Sequence, residues 1–411
     1  MKDNTDVKFV ARHAILDRDE NVFAYELLYR NSKHNYFPAE VSDDKATARL
    51  FFDTLLFFGI DKLVNDKKAF INLSTSSILS DIPKLIDPTN VILEIIERTE
   101  QLDAIFPIVT NLIANGYIFA LDDYDSDIKW EKLLVKVAFV KLEVEPDIQD
   151  TVNTISKLKN RYPNKKIIVE RIEDHKSFEI IKNAGADYFQ GYYFTKPNIV
   201  NYKNVNPSHL IILDLLKIAM ESPLDFNLLI KKIENDAGLV SRILKLSNLA
   251  CKTAKKEISS ISQAVIYLGE DTIKRFVTVL TLGELGGNKP SELLKLGLIR
   301  AKFISELLIN EDKEISQTGY LLGLISILDA ILDVEPATIF KEFPLSQEIQ
   351  DALEYRSGKL GLMLAMCMAI ENNDLKVIVM SQNALNLAEE QVVHTYANSL
   401  IYADEIFQNV N

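Results

Sequence analysis

Short apolar runs rich in β-branched and aromatic residues alternate with stretches of helical spacing up to about Pro197, and beyond Pro207 only the helical period remains. The first pattern predicts strands over Lys8 to Ile15, Val22 to Leu28, Ala69 to Leu73, Val91 to Ile95, Tyr117 to Leu121, Phe139 to Leu142, Ile167 to Glu170 and Asp187 to Phe189. Only Leu16 to Asn21 separate the first two, too few for a helical crossover, so these should form an antiparallel hairpin. Later runs are spaced widely enough for helical connections, which favours parallel pairing. The expected fold is α/β: a TIM-type (β/α)8 barrel with an antiparallel first strand. A typical barrel needs about 250 residues, so the helices here must be short or some must be missing. An open α/β sheet is the alternative.

The second half reads as all-α. Ser208 to Met220 places apolar residues at Leu210, Ile211, Leu213, Leu215, Leu216 and Ala219. Asp225 and Asp236 stand as caps before two further apolar-periodic runs. Ser260 and Gln263 fit a capping box, with Gly269 as the stop. Ser291 opens a helix running to Leu308. The expected domains are residues 1–200 and 207–411.

A chain of 411 residues is long for one core. With 59 acidic and 46 basic residues the net charge is −13, which disfavours binding to a nucleic acid polymer, where affinity comes largely from Lys and Arg on phosphates. Cys251 and Cys367 have no metal-ligand spacing and give no disulfide framework, so a reduced, cytoplasmic setting is the natural reading. The first residues lack the apolar core of a signal peptide. The most apolar later stretch, Leu321 to Leu332, carries Asp329 and falls short of the ~20 residues of a membrane span, so no membrane is expected.

Chemistry enters at the strand ends. Glu26 follows Val22 to Tyr25, Asn72 follows Ala69 to Ile71, and Glu94 follows Val91 to Leu93. The pair Asp122-Asp123 follows Ile118 to Leu121, Lys141 follows Val137 to Val140, and Glu170 follows Ile167 to Val169. One acid after a strand is most often a helix cap or a solvated charge. In a barrel, however, the strand ends gather at one face. Carboxylates gathered there repel one another unless a cation sits among them, so the set suits divalent metal.

Residues 8 to 197 resemble the EAL phosphodiesterase domain, which hydrolyses cyclic di-GMP. The name-giving motif appears as Glu26-Leu27-Leu28 within Tyr25 to Arg30. Similar segments follow in family order: Ile71-Asn72-Leu73-Ser74, Leu93-Glu94-Ile95-Ile96-Glu97, Ala120-Leu121-Asp122-Asp123-Tyr124, Val140-Lys141-Leu142-Glu143, Val169-Glu170-Arg171-Ile172-Glu173 and Asp187 to Pro197. The resemblance implies that Glu26, Asn72, Glu94 and Asp122 hold one cation and Asp123 a second, with help from Glu143. Mg²⁺ or Mn²⁺ suits such oxygen ligands. It implies that Lys141 orients the attacking water or stabilises developing charge, and that Glu170 is a further catalytic or metal-positioning carboxylate. Arg30 and Gln190 are the implied contacts to the nucleotide. Glu97 and Glu173 read as structural partners, and Tyr192-Tyr193-Phe194 as core.

This chain departs from the family pattern in places. The family's glycine-bearing loop after its Asp-Asp-Phe, which couples dimerisation to metal binding, is replaced by Tyr124 to Trp130 without glycine. Glu143 stands for an aspartate and Arg171 for a glycine. The second half is similar to an HDOD domain over Ile233 to Asn248 and Ile261 to Gly269. HDOD domains look like HD-type hydrolase bundles without the His-Asp pair, and no His-Asp dipeptide occurs here. The implied role is signal relay through a protein partner, with room for a homodimer. Two function classes follow: a cyclic di-GMP phosphodiesterase giving linear pGpG, or a non-catalytic cyclic di-GMP receptor or interaction scaffold.

Overall fold

The computed structural model describes residues 8–31, 60–80, 82–99, 101–195, 207–220, 225–250, 258–287, 289–310, 313–343 and 345–410. The chain divides into two compact units, Met1–Phe194 and Thr195–Asn411. Apart from Pro207, the expected boundary lies outside the described residues.

The first unit is a closed barrel of eight strands in sequence order: β1 (Lys8–Leu16), β2 (Val22–Asn31), β3 (Lys68–Leu73), β4 (Val91–Ile95), β5 (Ile118–Leu121), β6 (Phe139–Glu143), β7 (Lys166–Glu170) and β8 (Tyr188–Gln190). Closure excludes the open sheet. β1 and β2 form the expected hairpin, with Arg12 opposite Leu27 and His13 opposite Glu26. β1 also runs antiparallel to β8, through Ile15 opposite Gln190 and Leu16 opposite Phe189. Every other neighbouring pair is parallel. The connections economise on helix, as the length requires: Thr75–Leu79 and Glu131–Lys136 are barely more than one turn.

Alternation along the strands builds the barrel interior in layers. Ile15, Ala24, Phe70, Ile92, Ala120, Phe139 and Ile168 form one buried apolar layer. Two residues further toward the C-terminal ends of the parallel strands, the same inward-facing positions are Glu26, Asn72, Glu94, Asp122, Lys141 and Glu170. The apolar layer therefore floors a polar one. Gly191, at φ +147°, ends β8 where a Cβ would stand 2.2 Å from the Ile172 carbonyl oxygen. Only glycine lets the backbone pass there.

The second unit is helical in all its described elements, from Pro207–Met220 to Glu389–Val410. Its caps are those the sequence predicts. Asp225 accepts from Leu228 N–H at 3.0 Å and Asp236 from Leu239 N–H at 2.9 Å. Ser260 accepts from Gln263 N–H at 3.2 Å, but Gln263 returns the bond one residue early, to Ser259 N–H at 3.0 Å. Helix Ser291–Leu308 is buried along most of its length. Helix Lys313–Ile325 crosses it at Gly323, where a Cβ would lie 2.1 Å from the Ala301 nitrogen. Inside this unit Arg300 donates to both oxygens of Glu371, at 2.8 and 2.6 Å. Glu314–Leu332 is long and apolar enough to cross a membrane, and 61% of it is buried within the unit.

Candidate active site

The polar layer converges on Lys141. Its ammonium lies 2.9 Å from Glu94 Oε1, 2.9 Å from Asp122 Oδ1 and 3.5 Å from Glu26 Oε2, and it also pairs with Glu170 Oε1. Lys141 and Glu94 are fully buried. Asn72 donates to Glu26 Oε1 at 2.9 Å, and Gln190 Nε2 donates to Glu26 Oε2 at 2.6 Å. Residues from six strands and the loop after β5 thus meet at one mouth, although up to 164 residues separate them in sequence.

Four carboxylates around one ammonium leave an excess of negative charge, and the pKa shifts record how it is distributed. Burial pushes the carboxyls of Glu94, Asp122 and Glu170 up, although Lys141 pulls each of them down. Glu26 moves the other way. Burial would raise it, but Lys141 and the hydrogen bonds from Gln190 and Asn72 hold it below its ordinary value. Burial would also lower Lys141, yet Asp122, Glu170, Glu26 and Glu94 together hold its ammonium well above the usual lysine range. Asp123 is pushed up to about 7 by burial, then by Asp122 and Glu143.

Glu97, Asp122 and Asp123 each offer a carboxylate oxygen, and these lie within 4.8 Å of one another. Asn72 Oδ1 and Asp123 Oδ1 are buried without a hydrogen-bond partner. Such buried acceptors are costly unless a cation or donor completes them. A set of oxygen ligands at this spacing fits a hard divalent cation of the Mg²⁺ or Mn²⁺ kind.

Two residues join the mouth that the sequence reading left aside. Glu97 appeared there as a structural partner, yet it completes the carboxylate group beside Asp122. His13 went unnoticed because β1 runs antiparallel, so its mouth-facing position lies two residues before Ile15 rather than two after it. Counting backward along β1 would have found it. His13 Nδ1 faces Gln190 Nε2 at 3.0 Å, and its ring stacks on Tyr192 with centroids 4.7 Å apart. Burial pushes the His13 pKa down to about 4, so the ring is neutral and its Nδ1 accepts. Of the three aromatics expected in the core, Tyr193 and Phe194 are buried there, whereas Tyr192 is only half-buried and stacks on His13 at the mouth.

Other expected residues sit differently. Glu143 ends β6 close enough to Asp123 to act on its charge, but its carboxylate pairs with Arg171 at 2.5 Å. Arg30 lies on β2 opposite Phe9, and its side chain is outside the described residues. The loop without glycine still takes up left-handed backbone, at Asp123 (φ +43°) and Ser126 (φ +64°). Asp125 fixes it by accepting from Asp127 N–H and Trp130 Nε1–H, both at 2.9 Å.

Comparison with known proteins follows the two units. Residues 207–326 match the HDOD domain family model. Over 405 residues the chain is 29% identical to cyclic di-GMP phosphodiesterase CdgJ of Vibrio cholerae, spanning 98% of this chain and 93% of that protein. Over 405 residues it is also 31% identical to the uncharacterized protein YuxH of Bacillus subtilis, spanning 95% of this chain and 97% of YuxH. The chain belongs to this EAL–HDOD family. Among solved structures, a calcium and cyclic di-GMP complex of Klebsiella pneumoniae BlrP1 matches with 19% identity and a TM-score of 0.38. That match covers 46% of this chain and 55% of BlrP1. In this EAL–HDOD protein the barrel carries the converging carboxylates, and the HDOD match falls wholly within the helical unit.

Proposed function

We propose that the barrel hydrolyses cyclic di-GMP to linear pGpG with two divalent cations, Mg²⁺ or Mn²⁺, and that the HDOD unit relays the signal through a protein partner. The observation that carries this reading is the convergence of Glu26, Glu94, Asp122 and Glu170 on buried Lys141, with Asp123 and Glu97 beside Asp122. The name of the Vibrio cholerae relative supports it.

Bound cations would supply a water of lowered pKa and would clamp the phosphate oxygens. Glu26, Asn72, Glu94 and Asp122 would hold one, and Asp123 with Glu97 the other. The chain's own residues do the rest. Lys141 keeps its proton under four carboxylates, so it serves as a fixed positive charge toward a developing oxyanion and not as a base. Glu170, raised by burial and adjacent to Lys141, is placed to take a proton from the attacking water. Gln190 is held by Glu26 and His13, which leaves its amide oxygen as a buried acceptor toward the nucleotide.

The receptor reading has one observation in its favour: Glu143 is engaged by Arg171 and not by the carboxylate group. A turnover assay separates the two. Purified protein with cyclic di-GMP and Mg²⁺ or Mn²⁺ should yield pGpG by chromatography, and Lys141→Ala and Glu26→Ala should abolish it. Binding without product would establish the receptor instead.

A further inference from the structure

Arg171 is the first residue after β7, and its backbone is left-handed at φ +57°. An arginine adopts that conformation only at a cost, because its Cβ crowds the backbone. Its neighbour Glu170 faces inward to Lys141. The left-handed turn breaks the strand alternation, and the guanidinium reaches Glu143, the last residue of β6, at 2.5 Å. Glu143 and Glu170 are register partners, so the pair spans the ends of adjacent strands at the mouth.

Stability does not account for this arrangement. The Arg171 side chain is 71% exposed and that of Glu143 36%. Ion pairs so open to water contribute little and cannot offset a strained backbone. Strain that stability does not repay points to chemistry. Glu143 lies near Asp123, and an arginine fork is shaped for a phosphate as well as for a carboxylate.

We infer that Arg171 binds a phosphate of the incoming nucleotide and, until it does, holds Glu143 away from the cation at Asp123. Nucleotide binding then exchanges one anionic partner of the guanidinium for another and releases Glu143 toward Asp123. Loading of the second cation and loading of the nucleotide thereby assist each other. This rests on the phosphodiesterase reading, because it takes a phosphodiester as the competing anion.

The test uses the full chain carrying Arg171→Gly, which accepts the left-handed backbone without strain, together with Arg171→Lys and Glu143→Gln. Mn²⁺ binding is read by electron paramagnetic resonance without nucleotide, and cyclic di-GMP turnover is followed in parallel. Arg171→Gly should raise KM by about tenfold or more, with a smaller change in kcat, the loss expected for a charge-assisted bond. It should tighten Mn²⁺ several-fold, and adding Glu143→Gln should cancel that gain. Arg171→Lys should recover part of the KM loss. A KM within twofold of the parent overturns phosphate binding by Arg171, and unchanged Mn²⁺ affinity overturns its hold on Glu143. If the parent gives no turnover, the phosphodiesterase reading fails and nucleotide exchange fails with it, while the Mn²⁺ arm still decides the hold on Glu143.

Discussion

Lys141 Nζ lies 2.9 Å from Glu94 Oε1, and neither side chain is more than 1% exposed. The ammonium is the only charge-balancing group that Glu94 contacts among the described residues. Removing it leaves buried carboxylates to repel one another, a change that costs roughly 3–5 kcal/mol when one partner of a buried pair is lost. Lys141→Met should therefore lower the melting temperature strongly in EDTA, and millimolar Mg²⁺ should restore part of the loss. A melting temperature in EDTA equal to that of the parent would contradict the described pairing.

The acid at Asp123 gives a pH signature. Its folded pKa of about 7 lies above its ordinary value of 3.8, so the folded state binds this proton more tightly than the unfolded state. Its contribution to stability is full below pH 4 and is lost as pH rises through 7. Asp123→Asn should therefore gain on the parent in EDTA between pH 5 and 8, as read by thermal melts. Saturating Mg²⁺ should remove that gain, because the cation needs the ionised form.

His13 behaves in the opposite sense. Burial holds its pKa near 4, against an ordinary value of 6.5. Folding favours the neutral ring, so this contribution is present above pH 6.5 and disappears as pH falls through 4. An NMR titration of the metal-free protein should find the His13 ring unprotonated at pH 5, with its midpoint close to 4. A midpoint at 6.5 would remove the basis for Nδ1 as the acceptor that orients Gln190.

Glu97 offers a test of the carboxylate group itself. Glu97→Gln keeps the size of the side chain and removes its charge. Calorimetric titration should show divalent cation binding weakened by at least about tenfold, the loss already seen when only an outer partner of a metal ligand is removed. Binding equal to that of the parent would return Glu97 to the structural role the sequence suggested.

In the helical unit, Arg300→Met should cost about 3–5 kcal/mol by denaturant unfolding, because it removes the guanidinium that donates to both oxygens of the buried Glu371 carboxylate. Changing Arg300 and Glu371 together to apolar residues should cost much less.

Much of the barrel was legible because strand periodicity and layer periodicity coincide. Glu26, Asn72, Glu94, Lys141 and Glu170 each stand two residues beyond a floor residue, so a short apolar run ending in a polar residue marks both the strand and its contribution to the site. What escaped the sequence has a physical reason in each case. His13 sits on the strand whose direction is reversed. Glu97 lies past the end of β4, where alternation no longer says which way a side chain points. The Glu143–Arg171 pair joins two positions singled out separately as departures, and only the register of β6 against β7 brings them together. Helix boundaries in the second unit followed their caps closely, because Asp225, Asp236 and Ser260 each satisfy a backbone N–H that nothing else in the helix can.

The barrel closes where β8 meets β1, through Ile15 with Gln190 and Leu16 with Phe189. Gln190 also supplies the side chain that bridges Glu26 and His13. A chain growing from the ribosome therefore carries nearly every acidic group of its pocket well before the pocket can exist. The last strand to emerge seals the wall and delivers the amide in one step. A chain stopped before residue 190 therefore lacks both the closing strand pair and the amide that bridges Glu26 and His13.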